Sequence, residues 1–370
     1  MSSLRDLLGQ AAALATATAL AACKAPAPAT NDPARSGSGA SSASPSDAAP
    51  PILQHPPSVV ALDEPRLAVP HEESFRLLDA GRGDRSQLRY ALAAGTAAYT
   101  ARTNLTTRHL DDGQFTPPTA LPPIRDGFAI TTAADHPDHL ALHALAGEAA
   151  QATADTAAYL APWRTRLEGH DAAVAFDERG RISAIRFDDD PGGARSEPSR
   201  DELAQRLLAA IVPLPEEPVG AGASWRVVTI LRQGPAYAKQ TATYTLTSRT
   251  AAAWKLHVKL QRIGQEQHLA DPSLPPGTSA DLLALFRALE GDVAVDPAHP
   301  LITGGSLAVE SRMHVRLQES GQPATEQMFE DTGSVAFALC QPAAQPAPAP
   351  AAPREHEPLG PCPAGFSRRP

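Results

Sequence analysis

Through the middle of the chain, apolar and polar residues alternate with a period of two. Leu88, Tyr90 and Leu92 alternate with Gln87, Arg89 and Ala91, and Gly95-Thr96 then turns the chain into a Thr-rich stretch, 99–110. Phe128 and Ile130 mark a strand over 127–132, and Leu140 and Leu142 another over 139–145, with the turn 135–138 between them. A hairpin follows over 173–176 and 182–187, about Asp177-Glu178-Arg179-Gly180. Beyond it 225–231, 237–248, 254–263, 291–296, 306–317 and 325–337 carry the same alternation. A period of two predicts strands with one buried and one wet face.

The period lengthens to that of a helix in three places. Tyr159, Leu160, Trp163 and Leu167 predict a helix over 152–167, which Pro162 should kink or restart. Ser199, with Glu202 three residues on, reads as a capping box. It would open a helix that buries Leu203, Leu207 and Ile211 and ends at Val212-Pro213-Leu214-Pro215. Leu282, Leu285, Phe286 and Leu289 predict a third helix over 279–289. The short strand ending in Asp at a turn, over 173–182, is echoed from Val293-Ala294-Val295-Asp296 to Leu301-Ile302, and in each half long paired strands and a helix come before it. The expected fold is therefore mainly β with a few helices (α+β). It is expected as two similar antiparallel halves, 85–212 and 213–340, each partly covered by one or two helices.

The flanks differ in composition. Residues 24–51 are Ala, Pro, Ser, Gly, Thr and a few charges, with no aromatic and no branched aliphatic residue. Such a stretch buries too little apolar surface to offset its ordering entropy. Residues 23–84 read as a tether, of which 52–84 is an irregular lead-in, with a reach of roughly 40 Å, and 341–370 as a Pro/Ala-rich tail. The apolar run 11–22 would rise only ~18 Å as a helix, too little for a bilayer core, so 1–22 read as a signal peptide.

At the junction stands Leu20-Ala21-Ala22-Cys23. It resembles the lipobox of bacterial lipoproteins. The resemblance implies that the Cys23 thiol takes a diacylglycerol, that the chain is cut before it, and that the new N-terminus is acylated with a fatty acid such as palmitate. Lys24, in place of the aspartate that favours inner-membrane retention in that family, implies the outer membrane where the organism has one. The segment Leu214-Pro215, Pro218-Val219-Gly220 and Trp225 resembles one in uncharacterised secreted β-rich bacterial proteins of unknown function, which implies no chemistry.

With Cys23 lipidated, Cys340 and Cys362 remain as an even pair in an oxidising periplasm, and a disulfide between them is expected. The net charge of -9 without a basic cluster argues against nucleic acid as a partner.

Candidate chemistry is sparse. His136, His139 and His143, with Asp135 and Asp138, come nearest to a metal cluster, but a strand over 139–145 would put His139 and His143 on its wet face. Asp188-Asp189-Asp190 are consecutive, where a calcium loop alternates its ligands. Gly220-Ala221-Gly222 precedes a strand, where a phosphate loop opens a helix. No nucleophile elbow is present. No catalytic residue, metal or cofactor is assigned on this reading. The expected function is that of a non-enzymatic, membrane-anchored envelope lipoprotein that binds an apolar ligand or another envelope component. The alternative is a hydrolase or metal-dependent enzyme using His136, His139 and His143.

Short helices over long strands would leave an apolar trough, an arrangement similar to the half-barrels of Lol-type lipoprotein carriers. Trp254, Leu256, Val258 and Leu260 are the expected lining. Packing of the two apolar faces on each other, leaving nothing open, is the other arrangement the pattern allows.

Overall fold

The computed structural model describes residues 71–111, 113–136, 138–187, 197–233, 236–269, 274 and 277–340. The expected signal peptide, the lipobox-like segment with Cys23, most of the expected tether, Asp188-Asp189-Asp190 and the expected tail with Cys362 lie outside the described residues. In chain order the first strands are β1 (His71–Asp79), β2 (Arg82–Ser86), β3 (Gly95–Asp111), β4 (Gln114–Phe115), β5 (Thr119–Ala120), β6 (Ile124–Thr132), β7 (His139–Ala144) and β8 (Glu148–Ala149). Helix α1 (Ala154–Arg166), the hairpin β9 (Asp171–Phe176) and β10 (Ile182–Phe187), and helix α2 (Glu197–Ala210) follow. Then come β11 (Val219–Ala221), β12 (Ser224–Gln233), β13 (Ala236–Arg249), β14 (Trp254–Gly264) and β15 (Gln267–Leu269). The last are β16 (Thr278–Val295), β17 (Gly304–Glu319) and β18 (Thr325–Cys340).

The described residues are mainly β, as the alternation predicts, and nearly all of their strands join one antiparallel sheet. The order is β1-β12-β13-β14-β16-β17-β18-β3-β6-β7-β9-β10, with β15 added to β16, β4 and β5 to β3, and β8 to β6. β2 and β11 make a separate ribbon. The two expected halves do not form two sheets: β12 to β18 run between β1 and β3. Both helices precede residue 212, so among the described residues the second half has none and the halves are not built alike. Neither helix is long and apolar enough to cross a membrane.

Three local expectations are corrected. The helix expected over 279–289 is part of β16. Its register against β17 shifts between Leu282 and Ala284, and this bulge turns both Leu282 and Leu285 inward, three residues apart. One bulge thus counterfeits helical spacing. The strand expected at 87–92 is not formed; Leu88 and Tyr90 are buried, but the amides here pair outside any ladder. Tyr90 N donates to Glu178 O, and Ala91 N and Ala93 N donate to Pro297 O and Ala298 O. The lead-in expected to be irregular contains β1 and β2, whose partners β12 and β11 lie more than a hundred residues away.

The helices cap differently from one another. At α1, Thr153 Oγ1 accepts from Thr156 N and Thr156 Oγ1 accepts from Thr153 N, a reciprocal cap, and the helix runs on through Pro162. α2 already begins at Glu197, so Ser199 lies within its first turn rather than at its cap, and Glu202 faces inward.

The sheet curls until its ends meet. Arg179 and Arg181, in the β9–β10 turn, lie over the ring of Phe75 in β1 at 5.3 and 5.7 Å. Tight coiling needs glycine where strands cross closely. A Cβ on Gly291 would stand 2.2 Å from Ser306 O, and one on Gly333 2.0 Å from Asn104 O. α2 fills the interior, with Leu203 and Leu207 buried and Ala210 O accepting from Ile302 N.

Candidate functional site

The inner face of the sheet is largely apolar, and most of its buried polar residues stand in one row, with Thr103, Asp126 and Thr132 outside it. Thr229, Gln240, Arg262, Arg287, Ser311, Asp331 and Thr107 stand directly opposite one another on seven adjacent strands, β12, β13, β14, β16, β17, β18 and β3. Six strand spacings make this belt about 29 Å long. Thr229 to Asp331 are all buried, Arg262 and Arg287 to 1 % exposure. Strand parity explains their direction, because each sits two residues from an inward apolar neighbour, as Arg262 does from Leu260.

The belt divides the interior. On one side the next inward row is Val227, Ala242, Leu260, Leu289 and Val309, all in the larger core cluster with the three tryptophans. On the other side stand Leu231, Ala238, Leu285 and Met313, in a smaller cluster with Ala236, Leu282 and Val315. The two clusters are packed separately, with polar side chains between them.

α2 lays charge against the belt. Arg206 Nη1 meets Asp126 Oδ2 at 2.7 Å and its Nε meets Glu202 Oε1 at 2.8 Å, with every partner buried. The same guanidinium lies 4.4 Å above the Trp163 ring. Burial alone would lower the Arg206 pKa, but the two carboxylates overcome it and hold the group charged. Burial pushes Asp126 upward against the pull of Arg206, and the charge of Glu202 adds to the push. One residue earlier, Gln205 Nε2 donates to Arg232 O at 3.0 Å.

Arg262 is held by uncharged groups. Its Nε donates to Gln240 Oε1 at 2.7 Å and its Nη2 to Gln205 O at 3.5 Å. Burial, with Arg287 adding to it, lowers its pKa to about 9. Arg287 is likewise lowered by burial. Asp331 is raised to about 6 by burial, against a hydrogen bond from Thr107 and the charge of Arg287.

The residues singled out from sequence fall elsewhere. Trp254, Leu256, Val258 and Leu260 are buried to between 0 and 4 % exposure in the larger cluster, so they line no open trough and form the closed packing instead. Trp163 and Trp225 are also buried, and their indole N–H groups donate to Leu145 O and Pro213 O. His136, His139 and His143 do not converge. Each is exposed and faces its own carboxylate: Asp135 at 3.9 Å, Asp138 at 3.0 Å and Asp171 at 2.8 Å. Among the described residues no three His, Cys, Asp or Glu side chains are grouped to hold a metal ion. Cys340 ends β18 half-buried, its Sγ 3.6 Å from Thr100 Oγ1.

Two small cavities lie on the larger cluster's side. One of about 100 Å³ is lined by Tyr99, Ile130, Thr132 and His299, and one of about 40 Å³ runs between Phe128, Ile302 and Phe337 to Asp126 and Arg206.

The pattern reading missed the belt although its signal was present. Arg262 shares the parity of Trp254, Leu256, Val258 and Leu260, and Gln240 that of Ala242, Tyr244 and Leu246. A charged residue on the apolar parity of a strand is the mark of a buried polar group. Arg287 was hidden by the helical reading of β16.

A scan of protein-family models finds no match to this chain, and a search of curated proteins finds no similar sequence.

Proposed function

We propose that this chain is a cell-envelope lipoprotein. A lipid on Cys23 holds it to a membrane, the outer one where the organism has two, and its β-rich body is a non-enzymatic module that binds an apolar ligand or another envelope component. The anchor is supported by Leu20-Ala21-Ala22-Cys23 and the spacer behind it. The binding role is carried by one observation: an apolar cluster of Leu231, Leu282, Leu285 and Met313 stands apart from the main core, beyond a band of buried charge. A fold that needed only a core would gain more from one continuous apolar interior, because separating the clusters leaves charged groups to be desolvated. The cluster is closed in the structure, its side chains 1 to 9 % exposed, so binding would require it to open; apolar side chains beside a few fixed polar groups are the usual make-up of a ligand site.

The anchor is tested by labelling cells with radioactive palmitate. Wild type is expected to carry label in the membrane fraction, and Cys23→Ser to lose label and membrane association together. The binding role is tested on the purified Cys23→Ser protein with a fluorescent fatty-acid probe. Saturable uptake with a stoichiometry near one is expected, and no uptake, with no envelope protein recovered by crosslinking in cells, would end the reading.

A further inference from the structure

Tyr99 is buried to 5 % exposure, and its hydroxyl has no hydrogen-bond partner among the described residues. A buried hydroxyl is costly to leave unbonded, and the cavity of about 100 Å³ that Tyr99 lines is where a partner can stand. Its ring meets that of His299, also in the lining, edge-on at 6.2 Å. Burial raises the pKa of the hydroxyl, and the charge of Asp296 adds to the rise. Both neighbours set the ring beside the 296–300 segment that walls this cavity. Tyr99 also borders the smaller cavity, whose polar groups, Asp126 and Arg206, bond each other.

The cavity is open at one end and fixed in shape. Residues 93–96 on its rim are exposed, whereas Tyr99, Ile130, Thr132 and Pro300 form a buried floor. Its two walls are tied together, because Ala91 N and Ala93 N donate to Pro297 O and Ala298 O at 2.8 and 3.0 Å. Asp296 Oδ1 accepts from Ala298 N at 2.9 Å and steadies the second wall.

The lining selects a ligand by its chemistry. The Tyr99 hydroxyl supplies a donor, so the ligand needs an acceptor. The Asp296 carboxylate, 3.8 Å from His299 Nε2, disfavours an acceptor that carries negative charge. The methyl groups of Ala93, Ala97 and Ala298, with Ile130, suit a methyl group, and the Thr132 hydroxyl can accept from an N–H. A methyl, a neutral carbonyl and an N–H together make an acetamido group, whose few heavy atoms suit a space of about 100 Å³.

We propose that this cavity binds an acetamido group, with the Tyr99 hydroxyl donating to its carbonyl oxygen. The site is separate from the apolar cluster of Leu231 and Met313, so it stands or falls without the fatty-acid reading. A free small amide and an acetylated amino sugar, its ring beyond the rim, share this chemistry, and both enter the test.

Saturation-transfer NMR titrations of the purified Cys23→Ser protein use acetamide, acetate and N-acetylglucosamine as probes. Acetamide is expected to saturate, with acetate at least about tenfold weaker. Tyr99→Phe should weaken acetamide about fivefold yet leave the thermal midpoint unchanged or raised, because the lost hydroxyl has no protein partner. Binding of N-acetylglucosamine that Tyr99→Phe weakens alike identifies a carried acetamido group. Its failure to bind where acetamide succeeds identifies a free amide, and each result supports the site. Saturation by neither amide would mean that water alone fills the cavity and overturns the proposal. Acetate bound as tightly as acetamide, or acetamide binding unchanged in Tyr99→Phe, overturns it too. Should Tyr99→Phe fail to fold, Ala97→Leu fills the cavity with the hydroxyl retained and is expected to abolish binding. Binding retained in that variant counts against the site.

Discussion

Basic side chains face carboxylates on both sides of the sheet, but the two faces treat them differently. On the outer face His143 stands opposite Asp171, His257 opposite Asp292 and His268 opposite Asp281, each pair directly across neighbouring strands at 2.8 to 3.0 Å. All six side chains keep a third or more of their surface in water. Inside, Arg206 meets Asp126 and Glu202 at similar distances with all three out of water. Distance is thus nearly the same in both places, and solvent decides what the contact is worth. Outside, water replaces a lost partner, whereas inside nothing does.

The sharpest way to break this comparison is to remove one inner partner. Arg206→Met would strand Asp126 and Glu202 without a cation, and urea unfolding is expected to show a loss of about 3–5 kcal/mol. Replacing all three residues together by apolar ones of similar size should recover most of it. A single-variant loss below about 1 kcal/mol would mean that water reaches the interior, and the contrast between the faces would collapse.

A smaller effect concerns Asp331. Its folded pKa of about 6 lies above that of an unfolded aspartate. Between those values the folded state holds the proton and the unfolded state does not, so stability is greatest below about pH 4 and falls as pH rises toward 6. Asp331→Asn removes this slope. Compared by urea unfolding at pH 4 and pH 6, wild type should lose roughly 2 kcal/mol more than the variant. Equal losses would place the Asp331 carboxyl in water.

The smallest effect is expected outside. His143→Gln should change stability by no more than ~0.5 kcal/mol near neutral pH, and that difference should vanish in high salt. A change as large as that of Arg206→Met would show that exposure does not separate the two classes of pair.

The belt also shows why one part of the site was legible in the sequence and another was not. Gln240 and Arg262 interrupt alternating strands whose boundaries the pattern located closely, so each could be marked as a polar residue facing inward. That they stand side by side could not be read, because register between strands is fixed by pairing along their whole length. Arg287 was lost at an earlier step, since the bulge after Leu282 imitates a helix over a short window. Glu202 looked like a capping residue three positions after Ser199. Only the helix start at Glu197 and the position of Arg206 turn it into a buried ion-pair partner.

By itself the sequence determined what is periodic and local: long alternating strands and two of the three expected helices. These follow from side-chain spacing within short windows. The tertiary structure decided what joins distant residues. β1 pairs with β12 and β18 with β3, so two stretches that read as separate halves became one curled sheet. Curling turned four presumed groove residues into core and brought the ends of the sheet together at Phe75, Arg179 and Arg181. It also set seven polar residues from seven strands in a single row. Hydrogen bonding between strands and exclusion of water from an enclosed face act only once the whole sheet exists, and no window of sequence contains them.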